Sequence, residues 1–195
     1  HTVPTADAIT YGQMLSDSNL SGCTASAPGT FAWKNSSTAP KVSDSNVTEY
    51  EVVFTPNDTA SYENATCQVK LTVNAKNLTD VTVAAIDDQG YTGSQVTPGV
   101  TVQGDSGKTL ELNTDYTVEY GANNTVGTGA GSVTIKAKPG GNYTFADKVV
   151  NFNISTGTSS ISIVGVLGKT YDGDAVDDPS VSQSGSTGAV SYTYY

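Results

Sequence analysis

Three tyrosines, each followed within two residues by glycine, stand 80 residues apart: Tyr11 in Ile9-Thr10-Tyr11-Gly12, Tyr91 in Tyr91-Thr92-Gly93 and Tyr171 in Tyr171-Asp172-Gly173. A spacing held twice marks a tandem array, in which each unit folds around a small core of its own. The ends of the units agree as well. Tyr62, Val69, Leu71 and Val73 fall 81 positions before Tyr143, Val150, Phe152 and Ile154, and Val52 and Phe54 fall 81 before Val133 and Ile135. The spacing predicts one unit over residues 1–74 and a second over 75–155. Residues 156–195 follow as a linker plus a truncated third repeat, because only 24 residues remain after Tyr171.

Within the units the apolar residues alternate with polar ones. Val69-Lys70-Leu71-Thr72-Val73 and Val150-Asn151-Phe152-Asn153-Ile154 have the period of two expected of half-buried strands. Further strands are predicted over 50–54, 80–84, 100–103, 115–120, 132–137 and 161–166. Pro56, Pro98, Pro139-Gly140-Gly141 and the glycine-rich run from Gly127 to Gly131 are read as turns, and the polar stretches 74–77 and 155–159 as linkers. Gly, Ser, Thr, Asn and Val are abundant while apolar residues make up 36%, a composition that suits short strands and polar turns. The fold expected is all-β, with each unit a small antiparallel sandwich. The incomplete third repeat would leave strand edges unpaired, so residues 159–195 are expected to dock on a neighbour, to pair with another copy of the chain, or to be held only by crystal contacts.

The segment from Ile9-Thr10-Tyr11-Gly12-Gln13 through Gly29-Thr30-Phe31-Ala32-Trp33 to Tyr50-Glu51-Val52-Val53-Phe54-Thr55-Pro56 resembles the bacterial immunoglobulin-like repeats of large Firmicutes surface proteins. The second unit, with Asp115-Tyr116-Thr117-Val118, Asn123-Asn124 and Gly141-Asn142-Tyr143-Thr144, resembles a sister repeat, and Tyr171-Asp172-Gly173 resembles the YDG and MBG repeats. The resemblance covers nearly the whole chain. It implies tandem immunoglobulin-like sandwich repeats and an extracellular, cell-surface setting. These families are named by sequence and carry no catalytic residues to transfer.

Charge narrows the partners. Nine lysines, no arginine and nineteen acidic residues give a net charge of −10, so the chain lacks the guanidinium forks that grip phosphates and repels polyanions. Nucleic acid and anionic membrane are not expected as partners, and no apolar run of about 18 residues offers a membrane span. Cys23 and Cys67 are the only cysteines. Their spacing fits neither a metal hairpin nor a redox motif. A disulfide between them is expected, worth about 3–4 kcal/mol in the chain-entropy model, the alternative being two buried thiols.

No histidine-based triad is available, since the one histidine is His1. The adjacent acids Asp87-Asp88 and Asp177-Asp178 point to opposite faces if they lie on strands, so no catalytic residue and no cofactor are expected. Asp172, Asp174, Asp177 and Asp178 lie around a glycine turn and offer the hard oxygens calcium prefers, although a solvated acidic turn explains them more simply. Trp33 and Tyr91 are the candidate sugar-stacking residues, set against a core role for Trp33 and a turn-holding role for Tyr91. Nine Asn-x-Ser/Thr sequons, Asn123 and Asn142 among them, would matter only in a eukaryotic secreted chain. Lys70 and Lys148 are the lysines considered for an intramolecular Lys–Asn bond, but no motif places the three required groups together.

The function expected is that of a non-catalytic stalk or adhesin segment whose first partners are neighbouring repeats of the same protein. The second reading is a module that binds glycan, mucin or a host surface protein, including as an accessory region of a polysaccharide-degrading enzyme.

Overall fold

The backbone follows the alternation. In the computed structural model, which describes residues 2–164, 170, 172–174, 178–185 and 189–191, the structure is all-β with three single-turn 3-10 helices. Seventeen strands are described: β1 (Thr5–Ala6), β2 (Ile9–Thr10), β3 (Leu20–Ser21), β4 (Gly29–Trp33), β5 (Tyr50–Pro56), β6 (Ala65–Val69), β7 (Val73–Asn74), β8 (Lys76–Asn77), β9 (Thr82–Val83), β10 (Gln89–Gly90), β11 (Val102–Gln103), β12 (Tyr116–Tyr120), β13 (Gly127–Ala137), β14 (Tyr143–Thr144), β15 (Lys148–Ser155), β16 (Ser160–Val164) and β17 (Ser180–Ser184). Two compact units are formed. The first takes in His1–Ala84, Val100–Glu119 and Val133–Val150, and the second Ala85–Gly99, Tyr120–Ser132 and Asn151–Tyr195.

In the first unit β4, β5 and β6 form an antiparallel sheet in which Trp33 stands opposite Val52, and Val52 opposite Cys67. The sequence reads Val69 to Val73 as one strand. The structure corrects this: Val69 pairs with Tyr50 of β5, the ladder breaks over residues 70–72, and Val73 pairs with Ile9 of β2. The chain thus passes from one sheet to another at a corner, yet Val69, Leu71 and Val73 all remain buried. Together with Ile9, Leu15, Trp33 and Val52 they form the core, against which Leu20, Phe31, Val42 and Tyr50 pack. Each such buried aliphatic contributes about 1.5–3 kcal/mol before the cost of ordering the chain. Asn46, at φ 57, turns the chain beside the break, where its N–H donates to the Leu71 carbonyl at 2.9 Å.

The pairing of β2 with β7 is parallel. Ile9 N–H donates to the Thr72 carbonyl at 3.0 Å and Tyr11 N–H to the Asn74 carbonyl at 2.8 Å. In the second unit β10 pairs with β15, again parallel, and Tyr91 N–H donates to the Ser155 carbonyl at 2.9 Å. Glycine follows each tyrosine in the left-handed region, Gly12 at φ 97 and Gly93 at φ 81. Gly173, another 80 residues on, has φ 90, although Tyr171 itself lies outside the described residues. Only glycine adopts this region without strain. Burial repeats too: Val52 and Val133 are both 0% exposed, and Leu71, Val73, Phe152 and Ile154 are all buried. Tyr62 and Tyr143 break the pattern, at 50% and 5% exposed.

Two stretches read as irregular are strand. Residues 74–77, taken as a linker, are hydrogen-bonded at both ends, since Asn74 pairs in β7 while Lys76 and Asn77 pair in parallel with Tyr143 and Thr144 of β14. The glycine run 127–131, taken as a turn, is the first half of β13, in a sheet of order β10-β15-β13-β12. The reason lies at Gly131, where a Cβ would overlap the Phe152 ring. The glycine leaves room for the ring to lie against the backbone. Asn123 supports this region from within: buried at φ 45, its amide Nδ2 donates to the carbonyls of Val96 at 2.9 Å and Ser132 at 3.1 Å, while Oδ1 accepts from Ser132 N–H at 2.8 Å. In residues 156–195, β16 and β17 form an antiparallel ladder of their own, with Ile161 and Ile163 exposed.

Gly131→Ala is expected to destabilise the protein by about 1–3 kcal/mol through overpacking, and adding Phe152→Leu to recover part of that loss. Urea unfolding of the two variants checks it. Equal stability of Gly131→Ala and wild type would mean that this contact does not shape the strand.

Candidate functional site

Trp33 is buried at 8% exposure, its indole N–H donates to the Ser18 carbonyl at 3.0 Å, and its ring meets Tyr50 edge-on at 6.5 Å. It lies on the inward face of β4 opposite Val52, so it has no free face for a sugar and belongs to the core. Tyr91 is 40% exposed, and its backbone closes the β10–β15 pair. Trp33 lies in the first unit and Tyr91 in the second.

The expected disulfide is not formed. Cys23 and Cys67 are both free, half-buried thiols. The Cys23 thiol is turned toward the Ser21 carbonyl at 3.6 Å, while Cys67 sits on the inward face of β6. Burial, and then the neighbouring Cys23, raise the Cys67 thiol above its ordinary pKa, which keeps it protonated and unreactive near neutral pH. Cys67 lines a cleft of about 190 Å³ at the end of the β4-β5-β6 sheet, with Phe31 and Phe54 packed at 4.8 Å and Tyr62 at its edge.

Of the acidic candidates, Asp177 lies outside the described residues. Asp172 accepts the Asp174 N–H at 3.1 Å, as a turn-forming aspartate does. Among the described residues no group of three or more metal-ligating side chains is gathered. Lys70 faces Glu49 at 3.7 Å, and Lys148 faces Asp80 at 3.1 Å; both are exposed ion pairs on carboxylates rather than asparagine amides. Asn123 and Asn142 are buried, so these two sequons are closed to modification in the folded protein. Among the described residues no helix is long and apolar enough to cross a membrane.

The structure gathers residues that no motif joined. Tyr11 and Tyr143 meet edge-to-face at 5.2 Å and 85°, and the Lys108 ammonium lies 5.5 Å from both ring centres. The Tyr143 hydroxyl, ahead of the opposing effect of burial, holds Lys108 above the ordinary lysine range. These three side chains, with Gly12, Ala39, Lys41 and Lys76, line a cavity of about 290 Å³ within the first unit. Each piece comes from a different element. Tyr11 follows β2, Lys41 precedes a 3-10 turn, Lys76 opens β8, Lys108 follows the turn Asp105–Gly107, and Tyr143 opens β14, directly opposite Lys76. Sequence reasoning singled out both tyrosines but as marks of two separate repeats, and the lysines share no spacing that would have signalled them.

Comparison of the chain with protein-family models, curated proteins and solved structures finds no match in any of the three.

Trp33→Phe keeps most of the ring but leaves the Ser18 carbonyl without its donor. It is expected to cost about 1–3 kcal/mol in urea unfolding; no cost would mean that the indole bond is dispensable. Thiol titration of denatured, unreduced protein is expected to find two reactive cysteines per chain, and finding none would establish the disulfide instead.

Proposed function

We propose that this chain is a non-catalytic, tension-bearing segment of a secreted or cell-wall-anchored bacterial surface protein, built of tandem immunoglobulin-like sandwich repeats of the MBG/YDG type. The repeats span 1–74 and 75–155, with a partial third in 156–195, and their immediate partners are neighbouring repeats of the same protein. The observation that carries the reading is the recurrence of one closure: a short strand just before the marker tyrosine lies parallel to the last strand of its repeat, Ile9 beside Val73 and Gln89 beside Ile154. In parallel strands, tension from opposite ends of the repeat runs along the strand axis, so all the closing hydrogen bonds are loaded together. An antiparallel hairpin pulled from its open end would instead lose them one at a time. A segment that holds a distal domain away from a cell envelope is loaded in this way.

Pulling the full chain by its ends in single-molecule force spectroscopy tests the reading. Two unfolding events are expected, each releasing roughly 20 nm, from about 65 residues at the extended length per residue. Tyr91→Pro removes the N–H that bonds Ser155 and is expected to lower the force of one event only. Extension without force peaks, or a single event releasing the whole chain, would overturn the proposal.

A further inference from the structure

We propose that the cavity lined by Tyr11, Tyr143, Lys41, Lys76 and Lys108 is a binding site for an acidic sugar unit, that is, a carboxylate or sulfate carried on a sugar ring. The first ground is how the lysines are used. Among the eight described lysines, Lys34, Lys70, Lys136 and Lys148 face carboxylates, and Lys138 donates to the Asn113 carbonyl. The three that remain are the three that line this cavity, and none of them makes an ion pair among the described residues. The nearby Asp44 carboxylate is taken up by its own turn, where it accepts the Lys41 backbone N–H at 2.8 Å and the Thr48 hydroxyl at 3.3 Å. A chain with nineteen acidic residues against nine lysines has carboxylates to spare for neutralising such a cluster, yet three lysines from separated segments line one space with no ion pair among the described residues. Their mutual repulsion is relieved by an anion.

The second ground is shape and wall chemistry. At about 290 Å³ the cavity sits at the small end of ligand sites, the size of one sugar ring. Its accessible walls are the half-buried Tyr11 ring, Ala39 and Gly12, where an added side chain would meet open space, while the Tyr143 ring is buried. A bare phosphate or sulfate is typically gripped by converging backbone N–H groups or guanidinium forks. Lysines lining a space beside an exposed part of an aromatic ring suit an anion attached to a sugar ring that can rest on Tyr11. Lys108 is held in place over both rings before any ligand arrives, which lowers the ordering cost of binding. The net charge of −10 opposes general anion uptake, so binding here reports the local site.

Ligand titration of the full chain by NMR, at about 20 mM salt where screening is weak, decides it. The probes are glucuronate, glucose 6-sulfate, glucose and inorganic sulfate. Saturable binding of at least one acidic sugar is expected, with glucose and inorganic sulfate each at least about tenfold weaker. If only one acidic sugar binds, that result identifies the acidic group. Lys41→Gln and Lys76→Gln alter exposed side chains and should each weaken binding about threefold, as loss of an exposed ion pair does. With Lys108→Gln added the loss should exceed about tenfold, while Lys34→Gln leaves binding unchanged. Binding of neither acidic sugar, glucose binding as tight as glucuronate, inorganic sulfate as tight as glucose 6-sulfate, or full affinity in Lys76→Gln would each overturn the proposal.

Discussion

Everything in this fold rests on bringing the start of a 65-residue stretch back beside its end. The bond from Tyr11 N–H to the Asn74 carbonyl, like that from Tyr91 N–H to Ser155, joins parallel strands, which no tight turn can connect. The whole intervening chain must therefore be in place before either bond forms, and the loop entropy is lost before the contact gives anything back. Two or three hydrogen bonds, each worth about 1 kcal/mol net, do not offset that loss. The buried rows do: Val52, Val69, Leu71 and Val73 in one case, Phe152 and Ile154 beside the other. The closures are thus a consequence of core burial, and they hold only while the core does.

That dependence explains which features were legible. A period of two in apolar residues reports which face is buried, and Val69, Leu71 and Val73 are buried as read. It does not report which strand supplies the hydrogen-bond partner, so the corner at residues 70–72 was invisible. The glycine run 127–131 failed for a related reason. Glycine there serves the Phe152 ring across the sheet, and single-sequence reading assigns glycine to turns because it sees only the local backbone. Residues 74–77 look like a linker by polarity, but their backbone groups are used in pairing, and composition speaks only for the side chains.

The divergence between Tyr62 and Tyr143 carries the same lesson for function. They occupy matching positions, yet Tyr62 edges an apolar cleft with Phe54 and Cys67, while Tyr143 is buried against Tyr11 under Lys108. A repeat fixes where a side chain leaves the backbone. What that side chain meets depends on residues outside the repeat pattern, here Lys108 and Lys76. The cavity was therefore unreadable from spacing, and Trp33, the most conspicuous aromatic in the sequence, is committed to the core through Ser18.

Backbone and side chains divide the work at Tyr11. Its amide closes the β2–β7 pair while its ring lines the lysine cavity, and Lys76 lies only two residues beyond Asn74, the acceptor of that closing bond. A ligand seated in the cavity would need Tyr11 and Lys76 in their folded places, so it binds the closed form and not the opened one. By mass action such a ligand stabilises the closure by an amount that grows with its concentration above the dissociation constant. Occupancy and resistance to tension would then be linked through one residue. The second closure, at Tyr91 and Ser155, supplies no residue to that cavity, but Lys108 and Tyr143, which do, lie in the stretch it closes, so a bound ligand favours that closure as well.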